Sequence, residues 1–401
     1  RDLHLSIRRQ RQMCIRDSIL TGIASYRELT YDSSTDFDGS PITLFHFPNN
    51  HEEQEQQTFE LRYAGSYSEN IDYVVGVSYF DQEMFVGERR DFGVADIAGV
   101  TELSHDSIGI FAELDYLISD KTKITLGARW TEETKDVTFN AIGSCEKDFS
   151  SCSGPSSGLM RSGTYDDTTP KIAITHSLNE DVNIYASYTQ GFRSGSFDAR
   201  ARTIDSFLNS QPGPEEVTSI ELGLKSTFND GKVLLNIALF QADYDDIQKL
   251  ALEECDVNID TCPSGRIQRL INAAKATIEG IEIETKLSVT DQLSIEGSLG
   301  YTDAGFDEFL GFDADGVRGY DPVTDPVAAA ALKFERVPEL TYNIMANYFQ
   351  PLANGAELDF RISYSYTDDF YNNALMTEAI KTDSYGLLDA SVSYTLSLIH
   401  I

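Results

Sequence analysis

The sequence predicts an all-β fold, a transmembrane antiparallel β-barrel of which about 14 strands lie in this chain. Three observations lead to it. Apolar and polar residues alternate with period two in one stretch after another, as they must when side chains point to opposite faces of a strand in turn. Many of these stretches run past about ten residues, whereas strands of soluble sheets are typically about five or six long. The connections alternate between short turns and long loops, which gathers the turns at one end of a meandering sheet and the loops at the other.

In chain order, strands are expected near residues 18–31, 55–66, 71–86, 105–118, 121–139, 164–178, 181–193, 216–229, 231–250, 266–289, 291–304, 336–350, 355–369 and 384–396. In the 105–118 stretch Ile108, Ile110, Ala112, Leu114 and Tyr116 share a face. In 181–193, Val182, Ile184, Ala186, Tyr188 and Phe192 oppose Asn183, Tyr185, Ser187, Thr189 and Gly191. Ile220, Leu222, Leu224 and Phe228 then oppose Ser219, Glu221, Lys225 and Thr227, and Val233, Leu235, Ile237 and Leu239 alternate with Asn236, Ala238 and Phe240. Asn229-Asp230-Gly231 joins these two as a tight hairpin. Near the end Leu358, Phe360, Ile362, Tyr364 and Tyr366 oppose a face that is polar throughout: Glu357, Asp359, Arg361, Ser363 and Ser365.

Short turns fall at 68–70, 119–122, 179–181, 229–231, 290–292 and 351–355; long loops fall at 32–54, 87–104, 140–163, 194–215, 251–265, 305–335 and 370–383. An open sheet of such strands would present a large apolar face to water and two unpaired edges. Closure in lipid removes both. Mean hydropathy is −0.28 and hydrophobic residues make up 41%. No run of about 18 apolar residues occurs, which excludes a membrane helix but not a barrel, whose strands carry their apolar face on every second residue. The 20 Tyr and 22 Phe suit aromatic girdles.

The net charge of −34, from 65 acidic and 31 basic side chains, argues against nucleic acid as a partner, because phosphate binding needs clustered Lys and Arg. Cys145 and Cys152 lie in one expected loop, Cys255 and Cys262 in another, at the same spacing and with no His beside them to complete a zinc set. Two small disulfide-closed loops in an oxidising compartment are the natural reading. A four-cysteine metal site would require both loops to converge, so no metal site is assigned. Residues 1–17 hold five Arg in an otherwise acidic chain, show no alternation and lack the apolar stretch and cleavage site of a targeting peptide. They and residues 397–401 read as translated adapter sequence, a non-native leader and tail, which leaves 18–396 as a barrel fragment.

The runs YASYTQGFRSGSF, PEEVTSIELGLKS and ALFQADYDDIQ, followed by NAAKATIEGIEIETKLSVTDQLSIEGSLGYTDAGFDEF, resemble successive barrel segments of TonB-dependent outer-membrane receptors. SILTGIASYRELTYDSSTDFDGSP and FAELDYLISDKTKITLGARWTEETKD are similar to strands upstream of these. In this order, over roughly residues 18–396, the set is specific. The resemblance implies a barrel of about 22 strands, so that this chain is a partial barrel from which the plug domain and the first strands are absent. It also implies a place in the outer membrane of a Gram-negative bacterium and contact with outer-membrane lipid. Energy would come from a periplasmic TonB complex acting through the missing N-terminal region. The cargo would be a scarce extracellular small ligand, foremost a ferric siderophore, with cobalamin, haem or oligosaccharide as other cargoes of the family. A passive porin-like channel is the alternative.

Nothing in the chain assembles catalysis: there is no H-E-x-x-H or P-loop, no Ser, His and acid set comes together, and the six histidines are scattered. The expectation is a receptor without cofactor or enzymatic activity. Binding belongs to the long loops. Phe45, His46 and Phe47 are candidates for contact with a bulky ligand, and Arg193, Arg200 and Arg202 for holding an anionic one such as a metal chelate; rim packing is the commoner role of such residues. Glu113, Arg129, Glu221, Lys225 and Arg361 face inward and are expected to pair with one another or with a plug.

Overall fold

A computed structural model describes residues 18–396, apart from 38, 40, 43, 94–95, 154–157, 199–203, 255–265, 310–332, 354 and 373–377. The leader and tail assigned to 1–17 and 397–401 lie outside the described residues, as does the Cys255–Cys262 pair. The fold is one antiparallel meander. Its strands are β1 (Ile19–Asp36), β2 (His46–Ser68), β3 (Ile71–Asp91), β4 (Asp96–Ser119), β5 (Thr122–Cys145), β6 (Cys152–Ser153), β7 (Leu159–Ser177) and β8 (Val182–Arg193). After a short helix α1 (Ile204–Asn209) come β9 (Glu215–Phe228), β10 (Val233–Glu254), β11 (Arg266–Ser288), β12 (Leu293–Phe309), β13 (Leu340–Pro351), β14 (Glu357–Thr367) and β15 (Tyr385–Thr395). Each long strand pairs with its chain neighbours, and the two-residue β6 pairs with β5 alone. Among the described residues the path ends at β1 on one side and β15 on the other, so the sheet is an incomplete barrel.

The two faces differ as the alternation requires. Ile110, 54% exposed, and Leu222, 52% exposed, lie on one face with Val75, Val77, Leu126, Ile172, Ile344 and Ile362. A continuous apolar wall of this extent is untenable in water and is what a strand presents to lipid. On β3 to β5 it ends at Tyr79 and Trp130. One step further along the same face stand Asp81 paired with Asp106, and Glu132 paired with Ile108. The change from aromatic to acidic marks the upper edge of the membrane band.

Beyond that edge the strands continue. β4 and β5 are 24 residues each, far more than the nine to eleven or so that a tilted strand needs to cross. Several expected long loops are therefore mostly strand. The 32–54 loop contracts to 37–45, and the 87–104 loop to 92–95. Above the bilayer both faces meet water, so the apolar–polar alternation fades while the hydrogen-bonded ladder goes on. The short turns are at the other end, as expected. Asn229, Asp230 and Gly231 all adopt positive φ (56°, 56° and 84°), the geometry that makes Asn, Asp and Gly the residues of such a turn.

Inside the barrel, large side chains lie over glycines on neighbouring strands. A Cβ on Gly223 would fall 2.2 Å from the Tyr185 ring, whose hydroxyl donates to Glu221 and whose face lies 5.5 Å from the Lys225 Nζ. The inward charges expected to pair with one another are partnered instead by other groups of the wall. Glu113 takes Lys171 at 2.8 Å, Arg129 donates to Ser78 at 2.7 Å and Arg361 to Asn347 at 2.9 Å. Register and glycine placement decide this: Arg361 faces Asn347 directly across the ladder, whereas Glu113 reaches Lys171 over Gly127 and Arg129 reaches Ser78 over Gly109, each spanning an intervening strand.

Candidate ligand site at the barrel mouth

Three structures occupy the end of the barrel that carries the long strand extensions. The first is an aromatic tip. Phe37 and Phe45, in the β1–β2 connection, meet Phe47 at the start of β2, with ring centroids 4.8 Å and 5.1 Å from it. Phe92, just after β3, stacks on Phe45 at 5.3 Å and 9°. Phe47 is 5% exposed, whereas Phe37 and Leu44 stand in solvent. The Arg90 guanidinium lies 5.8 Å from the Phe47 centroid and is ion-paired with Glu88. His46 places Nε2 3.3 Å from the Ser34 hydroxyl. Of the expected loop triad, only Phe45 is in a connection; His46 and Phe47 belong to β2, because the ladder extends past the membrane. Phe37, Phe92 and Arg90 escaped sequence reasoning. Phe37 flanks the same connection as Phe45, but Arg90 and Phe92 belong to β3 and the β3–β4 connection, and only strand pairing brings them to the tip.

The second structure is the segment between β8 and β9, which was expected to be an extracellular loop. Its described runs, 194–198 and 204–214, lie instead on the inner wall. Lys135 and Glu133, on β5 beyond Trp130, hold its start. Lys135 Nζ donates to the Ser194 hydroxyl and, at 3.1 Å, to the Gly195 carbonyl, and the Ser194 hydroxyl donates to Glu133. His105 adds a contact of 3.1 Å to the same carboxylate. Hydrogen bonds from His105 and Ser194, with Lys135 close by, hold Glu133 down to about 2 against the opposing effect of burial. In the middle, α1 presents Phe207, 0% exposed, to Phe139 of β5 in a stack with centroids 4.6 Å apart, closed over by Val137, Phe197, Leu103 and Leu159. At the end, Gln248 Nε2 donates to the Ser194 and Gly213 carbonyls at 2.9 and 3.1 Å, and the Gly213 amide donates to Asn272 Oδ1 at 2.7 Å.

The third structure is a disulfide-closed hairpin on the outer face. Cys145 and Cys152 are bonded, their Cα atoms 4.1 Å apart, and close the turn that links β5 to β6. The turn places Phe149, in the left-handed region at φ 59°, over Ala98, Val100 and Phe85. A Cβ on Gly87 would fall 2.5 Å from that ring. Arg89 donates to the Cys145 carbonyl at 2.7 Å and Asn49 to the Lys147 carbonyl at 2.7 Å.

Arg193 ends β8 and lies 3.9 Å from Glu215, with most of its side chain in solvent. Arg200 and Arg202, the other two arginines of the expected anion-binding set, lie outside the described residues. Among the described residues, no group of three or more His, Cys, Asp or Glu side chains is arranged to hold a metal ion. The mouth thus carries an aromatic cluster, the Arg90–Glu88 ion pair beside it and a polar inner wall.

Comparison with known proteins agrees with this geometry. The family model for the TonB dependent receptor-like β-barrel matches residues 12–399. The chain is similar to a ferric-pyoverdine 358 receptor of Pseudomonas putida, 24% identical over 175 residues that make up 43% of this chain and 19% of that protein. Its fold matches the ferric yersiniabactin uptake receptor FyuA from Yersinia pestis with a TM-score of 0.73 at 16% identity, covering 94% of this chain and 51% of that one. It also matches the siderophore receptor PiuA from Acinetobacter baumannii with a TM-score of 0.71 at 17% identity, covering 95% and 56%. The chain thus spans about half the length of these solved receptors.

Proposed function

This chain belongs to the TonB-dependent receptor β-barrel family of Gram-negative outer membranes, and from that membership we propose that the whole protein takes up a ferric siderophore by energy-coupled transport. Residues at the mouth would capture the chelate, and a periplasmic TonB complex, acting through a region outside this chain, would drive its release inward. The observation that carries the reading is the aromatic tip. Four phenylalanines cluster at the loop end of the barrel, with Phe37 in solvent, Phe47 buried and the Arg90 guanidinium beside Phe47 neutralised by Glu88. The exposed aromatic rings suit contact with a bulky organic chelate. Phe45, His46 and Phe47 are the proposed contacts, with Arg193, Arg200 and Arg202 as further anion partners. The names of the similar receptors support the same class of cargo.

The test is calorimetric titration of the full-length receptor in detergent with ferric pyoverdine and with a ferric catecholate. Wild-type protein is expected to bind at least one of them, and the Phe45→Ala/Phe37→Ala double variant to bind it at least tenfold more weakly. Binding that is unaffected by the double variant removes the tip from the site. Absence of binding to any ferric chelate, with growth under iron limitation unaffected by loss of the gene, would refute the cargo.

A further inference from the structure

We propose that the described runs between β8 and β9, 194–198 and 204–214, form a fixed strap lining the mouth, which sets its bore and diverts a ligand to the remaining arc of the wall. The inference rests on the receptor reading for its functional meaning, and on the seating of the strap for its substance. The strap is held at its beginning, middle and end, by partners on different strands. Its start is locked to β5 through Ser194, 3% exposed, and its end to β10 and β11 through Gln248 and Asn272. Between these, Phe207 and Ser210 are wholly buried, and Ser210 Oγ accepts the Leu270 amide of β11 at 3.1 Å.

Within the strap, the Ser196 amide donates to the Pro212 carbonyl at 3.4 Å, so the two described runs brace each other as well as the wall. A flap that opens and closes needs a seat with little buried apolar surface and solvated hydrogen bonds. This seat has the opposite character. Lifting it would uncover Phe207, Phe139 and Val137 together and leave Lys135, Gln248 and Asn272 without the strap atoms they now hold. The strap therefore behaves as part of the wall. It covers the inner face of β5, β7, β10 and β11, and a ligand is left the arc that includes β1 to β3, where the phenylalanine tip stands.

Hydrogen exchange of the full-length receptor in detergent micelles tests this without any ligand, so the result stands apart from the receptor reading. The Ser196, Ser210 and Gly213 amides are expected to exchange within about tenfold of the ladder amides of β5 and β11 beneath them. Exchange a hundredfold faster, at the rate of the exposed β1–β2 connection, would overturn the proposal. A Val137→Cys variant places a thiol under the strap at a site 1% exposed. It is expected to resist a cationic methanethiosulfonate reagent in the folded protein and to react after denaturation. Rapid labelling in the folded state would show that the strap lifts. Binding of ferric pyoverdine and of a ferric catecholate is measured in parallel; absence of both would count against the receptor reading while leaving the exchange result intact.

Discussion

Reduction of the Cys145–Cys152 bridge is expected to loosen the outer hairpin without unfolding the barrel. The bridge closes a short loop, its ends seven residues apart in sequence. In the chain-entropy model, closing a loop of this size contributes about 2.5 kcal/mol, which corresponds to a rise of about seventyfold in the open population of the hairpin. The hairpin has a second support. Phe149 packs on Ala98, Val100 and Phe85 and fills the space above Gly87, and truncating a buried Phe costs about 3–5 kcal/mol. Reduction alone should therefore leave the hairpin mostly seated, and reduction of a Phe149→Ala variant should release it. The assay is hydrogen exchange of the peptide containing the Glu146 and Phe149 amides, which bond to the Ser151 and Glu146 carbonyls at 2.9 and 3.1 Å. Faster exchange confined to that peptide, with β13 and β14 unchanged, is the expected result. Less than a threefold change on reduction, in the wild type and in the variant alike, would refute the reasoning.

Gly223→Ala should cost about 1–3 kcal/mol, because the new methyl group would displace the Tyr185 ring from Glu221 and Lys225. Urea unfolding and refolding in micelles reads the loss, and a Tyr185→Ala background should abolish most of it; equal costs in both backgrounds would mean that the ring is not the obstacle. His51 stands on the β2 extension above the membrane, with Nδ1 2.7 Å from Asp32 and Nε2 3.1 Å from Glu53, and the bond to Asp32 is the largest cause raising its pKa. Because the folded value lies above the unfolded one, the stabilisation is complete below about 6.5 and is lost as pH rises through the folded pKa. A histidine-labelled NMR titration in micelles should place the midpoint above that of an Asp32→Asn variant, and coincident midpoints would discard the pairing.

Much of the molecule was legible in the chain. Alternation such as Ile108 to Tyr116, or Leu358 to Tyr366, is imposed residue by residue by the pleat, so strand identity and the lipid-facing side could be read locally. The same holds for the turn at Asn229 to Gly231, where three adjacent residues must take positive φ. The Cys145–Cys152 pairing was likewise legible, because two cysteines so close in one connection have little else within reach. Legibility stopped where the environment stopped discriminating between faces. Above Tyr79 and Trp130 both sides of the sheet meet water, so the extensions carrying His46, Phe47 and Arg90 gave no periodic signal and looked like loop.

What the sequence determined by itself was the class of fold, the membrane band and the end at which the short turns gather. Each follows from solvent preference and backbone geometry over a few consecutive residues. Only the tertiary structure decided what meets at the mouth. Phe37, Phe45, Phe47 and Phe92 come together across three strands, and Phe207 finds Phe139 from 68 positions away in the chain. The strap turns inward because its partners, Lys135, Gln248 and Asn272, face the lumen on strands whose register places them beneath it. Register is a property of paired strands, and it becomes definite only when the sheet has formed.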